Sequence, residues 1–203
     1  MTWSNVCAVL PVVCSQPDRL ANAGSIQAML ARQCPGLVVV SAPQWWEETP
    51  SRALAFERIG TALQSVIHGI VLYLEDDAIL SDGFGAGLRQ TIDECLDLRA
   101  RTAVSLFAID HHGDGYRAAA RPFCYAQCLV MPAWLAKVWG RALLPWAELE
   151  RTQQYRFAPD ICFGEVCDAH GVELLVRYPS LVQHAKFGSA CGHTHCPQSP
   201  TFR

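Results

Sequence analysis

The stretch "VLYLEDDAIL", residues 71–80, decides the fold. An apolar run with the composition of a buried strand is followed at once by three carboxylates, Glu75, Asp76 and Asp77. In an open α/β sheet, ligands bind outside the carboxyl ends of the strands, which is where this triplet falls. Carboxylates placed there can hold a hard divalent cation such as Mg²⁺ or Mn²⁺, which prefers oxygen ligands and keeps waters or phosphate oxygens in its shell. The competing reading is a solvated turn or a helix cap.

Outward from this stretch, apolar runs of strand length recur at 6–13, 37–40, 70–74, 104–109, 125–131 and 172–176, with longer helix-compatible segments between them. That alternation predicts an α/β domain with a mostly parallel sheet flanked by helices. The first crossover helix is expected over 22–33, with Ile26, Met29 and Leu30 at helical spacing and Pro35-Gly36 as its stop. The second is expected over 51–68, carrying Leu54, Ile59, Leu63, Val66 and Ile67. Residues 134–146 read as a short helix broken at Pro145, and 160–170 as a helix stopped by Gly171.

The chain has 203 residues, enough for one domain with a sizeable core. Its net charge of -3, from 16 basic and 19 acidic residues, gives no electrostatic footprint for wrapping nucleic acid. The run 6–14 lacks the charged flank of a secretory signal, and no apolar stretch approaches the roughly 20 residues of a membrane helix. A cytoplasmic protein without a membrane span is therefore expected. Ten scattered cysteines read as reduced, partly buried thiols. In Cys191-Gly-His193-Thr-His195-Cys196, four soft-metal ligands crowd into six residues, too tightly for the usual pair of zinc knuckles. Residues 191–203 are accordingly taken as a Cys/His-containing tail on a domain spanning 1–190.

The stretch "LYLEDDAILSDGF" resembles the DxD-type metal motif of GT-A glycosyltransferases, in the Glu-Asp-Asp version of some N-acetylglucosaminyltransferases and lipopolysaccharide-type transferases. Downstream, "FAPDICFGEVCDAHGVELLVRYPSLVQHAKFGSA" is similar to the late part of the same family, with Asp160, Gly171, Pro179 and His184 at the matching places. Its "PSLVQH" segment looks like the corresponding part of the family-54-type N-acetylglucosaminyltransferases. The resemblance runs to about Ala190. It implies a GT-A-like, Rossmann-like single domain in which Asp77 binds the metal and His184 is a second ligand or diphosphate contact. Glu75 and Asp76 would lie near the nucleotide ribose or in the outer metal shell, and Asp160 would be the base. The cofactor is then Mn²⁺ or Mg²⁺, the donor a nucleotide sugar such as a UDP-sugar, and the acceptor a glycan or a modified nucleobase.

The residue types suit these roles. A diphosphate leaving group develops charge that a cation at Asp77 would neutralise, and a carboxylate such as Asp160 can take the proton of an attacking hydroxyl. As alternatives, Asp160 could cap its helix, His184 could be a satisfied core histidine, and Glu165 is a reserve base. The loop after the first strand, with Ser15 and Arg19, and Arg52 at the start of the second crossover helix are candidates for the nucleotide pocket, with Arg58 behind them. Trp45-Trp46 and the loop 110–116 fall where an acceptor would sit, and Gln127 where the donor sugar would. Three other functions stay open: a phage-type transferase acting on a hydroxymethylated DNA base, a non-catalytic nucleotide- or glycan-binding module, and a nucleotidyltransferase. The last lacks the Gly-rich loop such enzymes place after the first strand.

Overall fold

The computed structural model describes residues 2–11, 17–41, 52–96, 101–110, 112–152, 158–186 and 197–202. Strand β1 (Val6–Leu10) leads to helix α1 (Pro17–Gln33), then β2 (Val38–Ser41) and α2 (Arg52–Ser65). Next come β3 (Ile70–Leu74), β4 (Ala78–Leu80) and α3 (Phe84–Cys95). The second half holds β5 (Thr102–Ser105), β6 (Gly115–Ala118), β7 (Cys128–Pro132), α4 (Ala133–Arg151), α5 (Pro159–Ala169), β8 (Glu173–Tyr178) and β9 (Val182–His184).

Seven strands form one sheet in the order β2-β1-β3-β7-β5-β8-β6, and β4 pairs with β9 in a small second sheet. Five of the seven run the same way; β7 and β6 are reversed. The expected mostly parallel α/β sheet is what the chain forms. Strand β3 lies in its interior and is buried along its whole length, because both faces are covered. Leu72 and Leu74 pack with Ile26, Leu30, Leu88 and Val182 on the α1/α3 face. Val71 and Tyr73 pack with Leu63, Trp139, Leu143 and Phe163 on the α2/α4/α5 face.

Several expectations need correction. Helix α1 starts at Pro17, five residues before the apolar spacing begins, because proline suits the first helical position and Asp18 favours the first turn. Arg19 therefore sits on a helix and not in the preceding loop. Helix α4 is not broken at Pro145 but runs through it to Arg151. Its second half buries Ala147, and Arg151 pairs with Glu57 of α2. The expected strand 125–131 begins only at Cys128, since Tyr125 adopts φ +84. The run 104–109 yields a strand that ends at Ser105.

Helices α2 and α4 touch through glycines. A Cβ on Gly140 would lie 2.7 Å from the Gly60 carbonyl oxygen, and one on Gly60 2.8 Å from that of Gly140. Gly140→Ala is expected to destabilise the protein by about 1–3 kcal/mol, read as a lower urea midpoint, because neither backbone can give way. Gly24→Ala, on the exposed side of α1 with nothing within 4 Å, should instead gain up to about 1 kcal/mol from helix propensity.

Seven of the ten cysteines are described, and all seven are free, with Cys34, Cys128, Cys162 and Cys167 buried. The cluster 191–196 lies outside the described residues. Residues 198–201 pack against β9: Ser199 N–H donates to Gln183 Oε1 at 2.8 Å, Gln198 Nε2 to the His184 carbonyl at 2.9 Å, and Ser180 N–H to Thr201 Oγ1 at 3.1 Å. Among the described residues no helix is long and apolar enough to cross a membrane.

Candidate active site at the carboxyl edge of the sheet

Where β3 ends, Glu75 N–H donates to the Gln127 carbonyl (3.0 Å) and Ala78 N–H to the Glu75 carbonyl (3.1 Å), closing a turn over Asp76 and Asp77. The chain leaves the main sheet through this turn and enters β4, whose Ala78 pairs with His184 of β9. Ala185 N–H then donates to the Asp77 carbonyl at 2.7 Å. A three-residue ladder thus delivers His184 to the acidic turn.

The turn is buried, which removes the solvated-turn alternative: Asp76 is 0% exposed and Asp77 5%. Arg19, itself 4% exposed, reaches across from the first turn of α1. Its Nη1 binds Asp76 Oδ1, and its Nη2 donates to Asp77 Oδ2 at 2.9 Å. Asn22, one turn on, donates from Nδ2 to the carbonyls of Asp76 and Ala78, both at 2.8 Å. Both terminal nitrogens of Arg19 are therefore engaged by carboxylates of the turn.

Two atoms bear on a cation. Asp77 Oδ1 is buried without a hydrogen-bond partner. His184 Nδ1 lies 2.6 Å from the Ala185 carbonyl, which can only accept, so that nitrogen carries a proton. In the neutral ring Nε2 then presents a lone pair 3.6 Å from Asp77 Oδ2. A carboxylate and an imidazole lone pair facing each other repel unless a proton or a metal cation joins them, and the backbone bond on the far nitrogen is the usual support of a metal-bound histidine. Among the described residues no three His, Cys, Asp or Glu side chains converge on one point. The set fits an ion that takes one carboxylate and one imidazole from the protein and completes its shell with phosphate oxygens and water.

Glu75 and Gln127 continue the β3–β7 register, in which Leu74 pairs with Cys128 and Tyr73 with Leu129. Opposite residues share a face, so both side chains belong to the α5 side with Tyr73. Glu75 keeps some solvent contact, yet the protein packed around it pushes its carboxyl well above the usual range. Asp77, Asp160 and Asp76 push it further, against Arg19. The Tyr73 phenol is raised by burial and by the same four carboxyl groups. Gln127 is 7% exposed, with Oε1 buried and without a partner.

Asp160 follows Pro159 at the start of α5, where an acidic side chain suits the helix dipole. Its Oδ1 accepts from Ile161 N–H at 2.9 Å and its Oδ2 from Tyr125 N–H at 2.6 Å. Tyr125 is the only non-glycine residue of positive φ among the described residues. Asp160 thus holds a strained backbone two residues before Gln127.

Ser15 and Trp45-Trp46 lie outside the described residues, as does the side chain of Arg52. Arg58 is half-buried on α2, and Glu165 is exposed on α5. Sequence reasoning missed Asn22 and Tyr125, and it placed the loop 110–116 on the acceptor side without singling out the residues in it that cluster with Tyr178. There Tyr178 donates its hydroxyl to Asp110 Oδ1 at 2.5 Å, and His112 Nε2 lies 3.0 Å from Asp110 Oδ2. The His112 and Tyr178 rings meet edge to face, 5.2 Å apart. Against the upward push of burial, hydrogen bonds from Tyr178 and His112 hold the Asp110 carboxyl below the usual range.

No protein-family model matches the chain, and no curated protein matches it. Among solved structures, the chain is similar to the mannose-1-phosphate geranyltransferase of Thermus thermophilus (11% identity, TM-score 0.40, 85% of this chain and 73% of that one). It is also similar to a glycosyltransferase involved in the glycosylation of the major capsid of PBCV-1 (13% identity, TM-score 0.43, 86% of this chain and 94% of that one).

Proposed function

We propose that the protein is a metal-dependent glycosyltransferase of GT-A type that moves a sugar from a nucleotide sugar, such as a UDP-sugar, to a hydroxyl of a glycan or modified nucleobase. The observation that carries this reading is the buried Asp77 carboxylate at the carboxyl edge of the sheet, with Oδ1 unpartnered and Oδ2 3.6 Å from His184 Nε2. Asp77 and His184 would hold a Mn²⁺ or Mg²⁺ ion, which when bound supplies positive charge for the departing diphosphate. Arg19 and Asn22 keep Asp77 in place, so that little reorganisation is needed when the donor arrives. Gln127, with its free Oε1, is placed to accept from a sugar hydroxyl.

The acceptor attacks the anomeric carbon in line with the departing phosphate oxygen, giving inversion in a single displacement. The resemblance hands the acceptor's proton to Asp160. Both oxygens of that carboxylate already take backbone N–H groups, from Tyr125 and Ile161. The deciding experiment is hydrolysis of a panel of nucleotide sugars without acceptor, with and without Mn²⁺. Nucleotide release from one donor, dependent on the ion, is expected. No turnover of any donor together with no metal-dependent nucleotide binding would sink the proposal.

A further inference from the structure

We infer that the proton of the attacking hydroxyl goes to His112, held as a base by Asp110 and Tyr178; this rests on the transferase reading above. Asp110 accepts from Tyr178 on one oxygen and, on the other, faces His112 Nε2 at 3.0 Å. A carboxylate is an acceptor here, so Nε2 carries the proton and Nδ1 presents a lone pair. The ring is fixed in that orientation by its edge-to-face contact with Tyr178. An oriented imidazole with its second nitrogen available is the arrangement by which a carboxylate–histidine pair accepts protons from hydroxyls. His112 is exposed, as an acceptor-side base must be, whereas the Asp160 oxygens are engaged with backbone.

Its position fits. Asp110 follows β5 and Tyr178 ends β8, and both strands run parallel to each other and in the direction of β3. β5 and β8 are two and three strands from β3, so the cluster stands roughly 10–15 Å along the same edge from the acidic turn, room for a bound sugar between them. The edge between them is continuous. The Phe107 ring, three residues before Asp110, meets Tyr125 at 6.2 Å, and Tyr125 is the residue that Asp160 holds. In the step, the acceptor oxygen's lone pair forms the new bond to the anomeric carbon and its proton moves to His112 Nδ1. The anomeric carbon–oxygen bond breaks with its electron pair on the nucleoside diphosphate, and the imidazolium later returns the proton to solvent.

The test compares two nucleophiles on the donor found by hydrolysis: water, which must lose a proton, and azide, which need not. In His112→Gln, hydrolysis should fall about 10²–10⁴-fold while azide transfer stays at the wild-type rate. Asp110→Asn should lower hydrolysis less and also spare azide, because it disturbs only the orientation of the ring. Both positions are exposed, so thermal unfolding should match wild type. Equal hydrolysis by wild type and His112→Gln, or an equal loss with water and azide, overturns the assignment while leaving the donor site standing. Absence of any turnover in the wild type, together with absence of metal-dependent nucleotide binding, instead defeats the transferase reading, and this inference with it.

Discussion

Asp77→Asn is expected to lower nucleotide-sugar hydrolysis by about 10²–10³-fold or more and to abolish tight Mn²⁺ binding, while the fold survives. The substitution is nearly isosteric. The asparagine oxygen, in the place of Asp77 Oδ2, can still accept from Arg19 Nη2, and its NH₂ group then takes the place of Oδ1, which has no hydrogen-bond partner to lose. What disappears is the charge, and the next carboxylate in the turn, Asp76, is fully buried and faces Arg19. Mn²⁺ titration followed by electron paramagnetic resonance, together with the urea midpoint, separates loss of the ion from loss of structure. An unchanged Mn²⁺ affinity would remove Asp77 from the metal site. Asp77→Ala is the harsher variant, because it leaves a buried cavity and an Arg19 fork with one of its two carboxylates gone.

The second large effect is expected at Asp160. In Asp160→Asn one of the two backbone donors, Tyr125 N–H or Ile161 N–H, must face an NH₂ group. Leaving it unsatisfied costs about 1–3 kcal/mol. The cost should fall on Tyr125, whose φ of +84 persists only while something holds it. Gln127 then shifts, and a displacement of about 1 Å near the donor costs on the order of 10²-fold in turnover. Adding Tyr125→Gly, which adopts positive φ without strain, should restore part of both stability and activity. A base lost at Asp160 would not be restored that way. Recovery in the double variant thus supports a positioning role, and no recovery, with azide transfer intact, would return the base to Asp160.

Much of the fold is readable along the chain because its central strand is unambiguous. Ile70–Leu74 is a run buried on both faces and bounded by Gly69 and Glu75, and its predicted limits match the structure. The parts that were not legible have short-range reasons. β4 and β9 are three residues each, too brief for any periodicity to register. Pro17 reads as a turn residue until it is seen at the first position of α1, which is what carries Arg19 into the site. The run through Pro145 is decided by packing on α2, which no local signal reports. In the site, the acidic triplet announces itself by charge at a strand end. His184 came only through resemblance, since its neighbour Asp77 is set by a ladder between distant segments. The bond joining Asp110 to Tyr178 spans 68 residues, and nothing at either position marks the other as its partner.

That ladder has a consequence for how the protein becomes competent. The two side chains proposed to grip the cation come from opposite halves of the sequence, and the strand bearing the second is buttressed by residues 198–201. Every strand of the main sheet precedes that strand in the chain. During synthesis the scaffold can be complete while the ion still has nowhere to settle. On the proposed reading, metal uptake waits until residues 198–201 have docked, and a nick or deletion after residue 186 should yield a protein that looks folded by its helices and strands but does not take up metal.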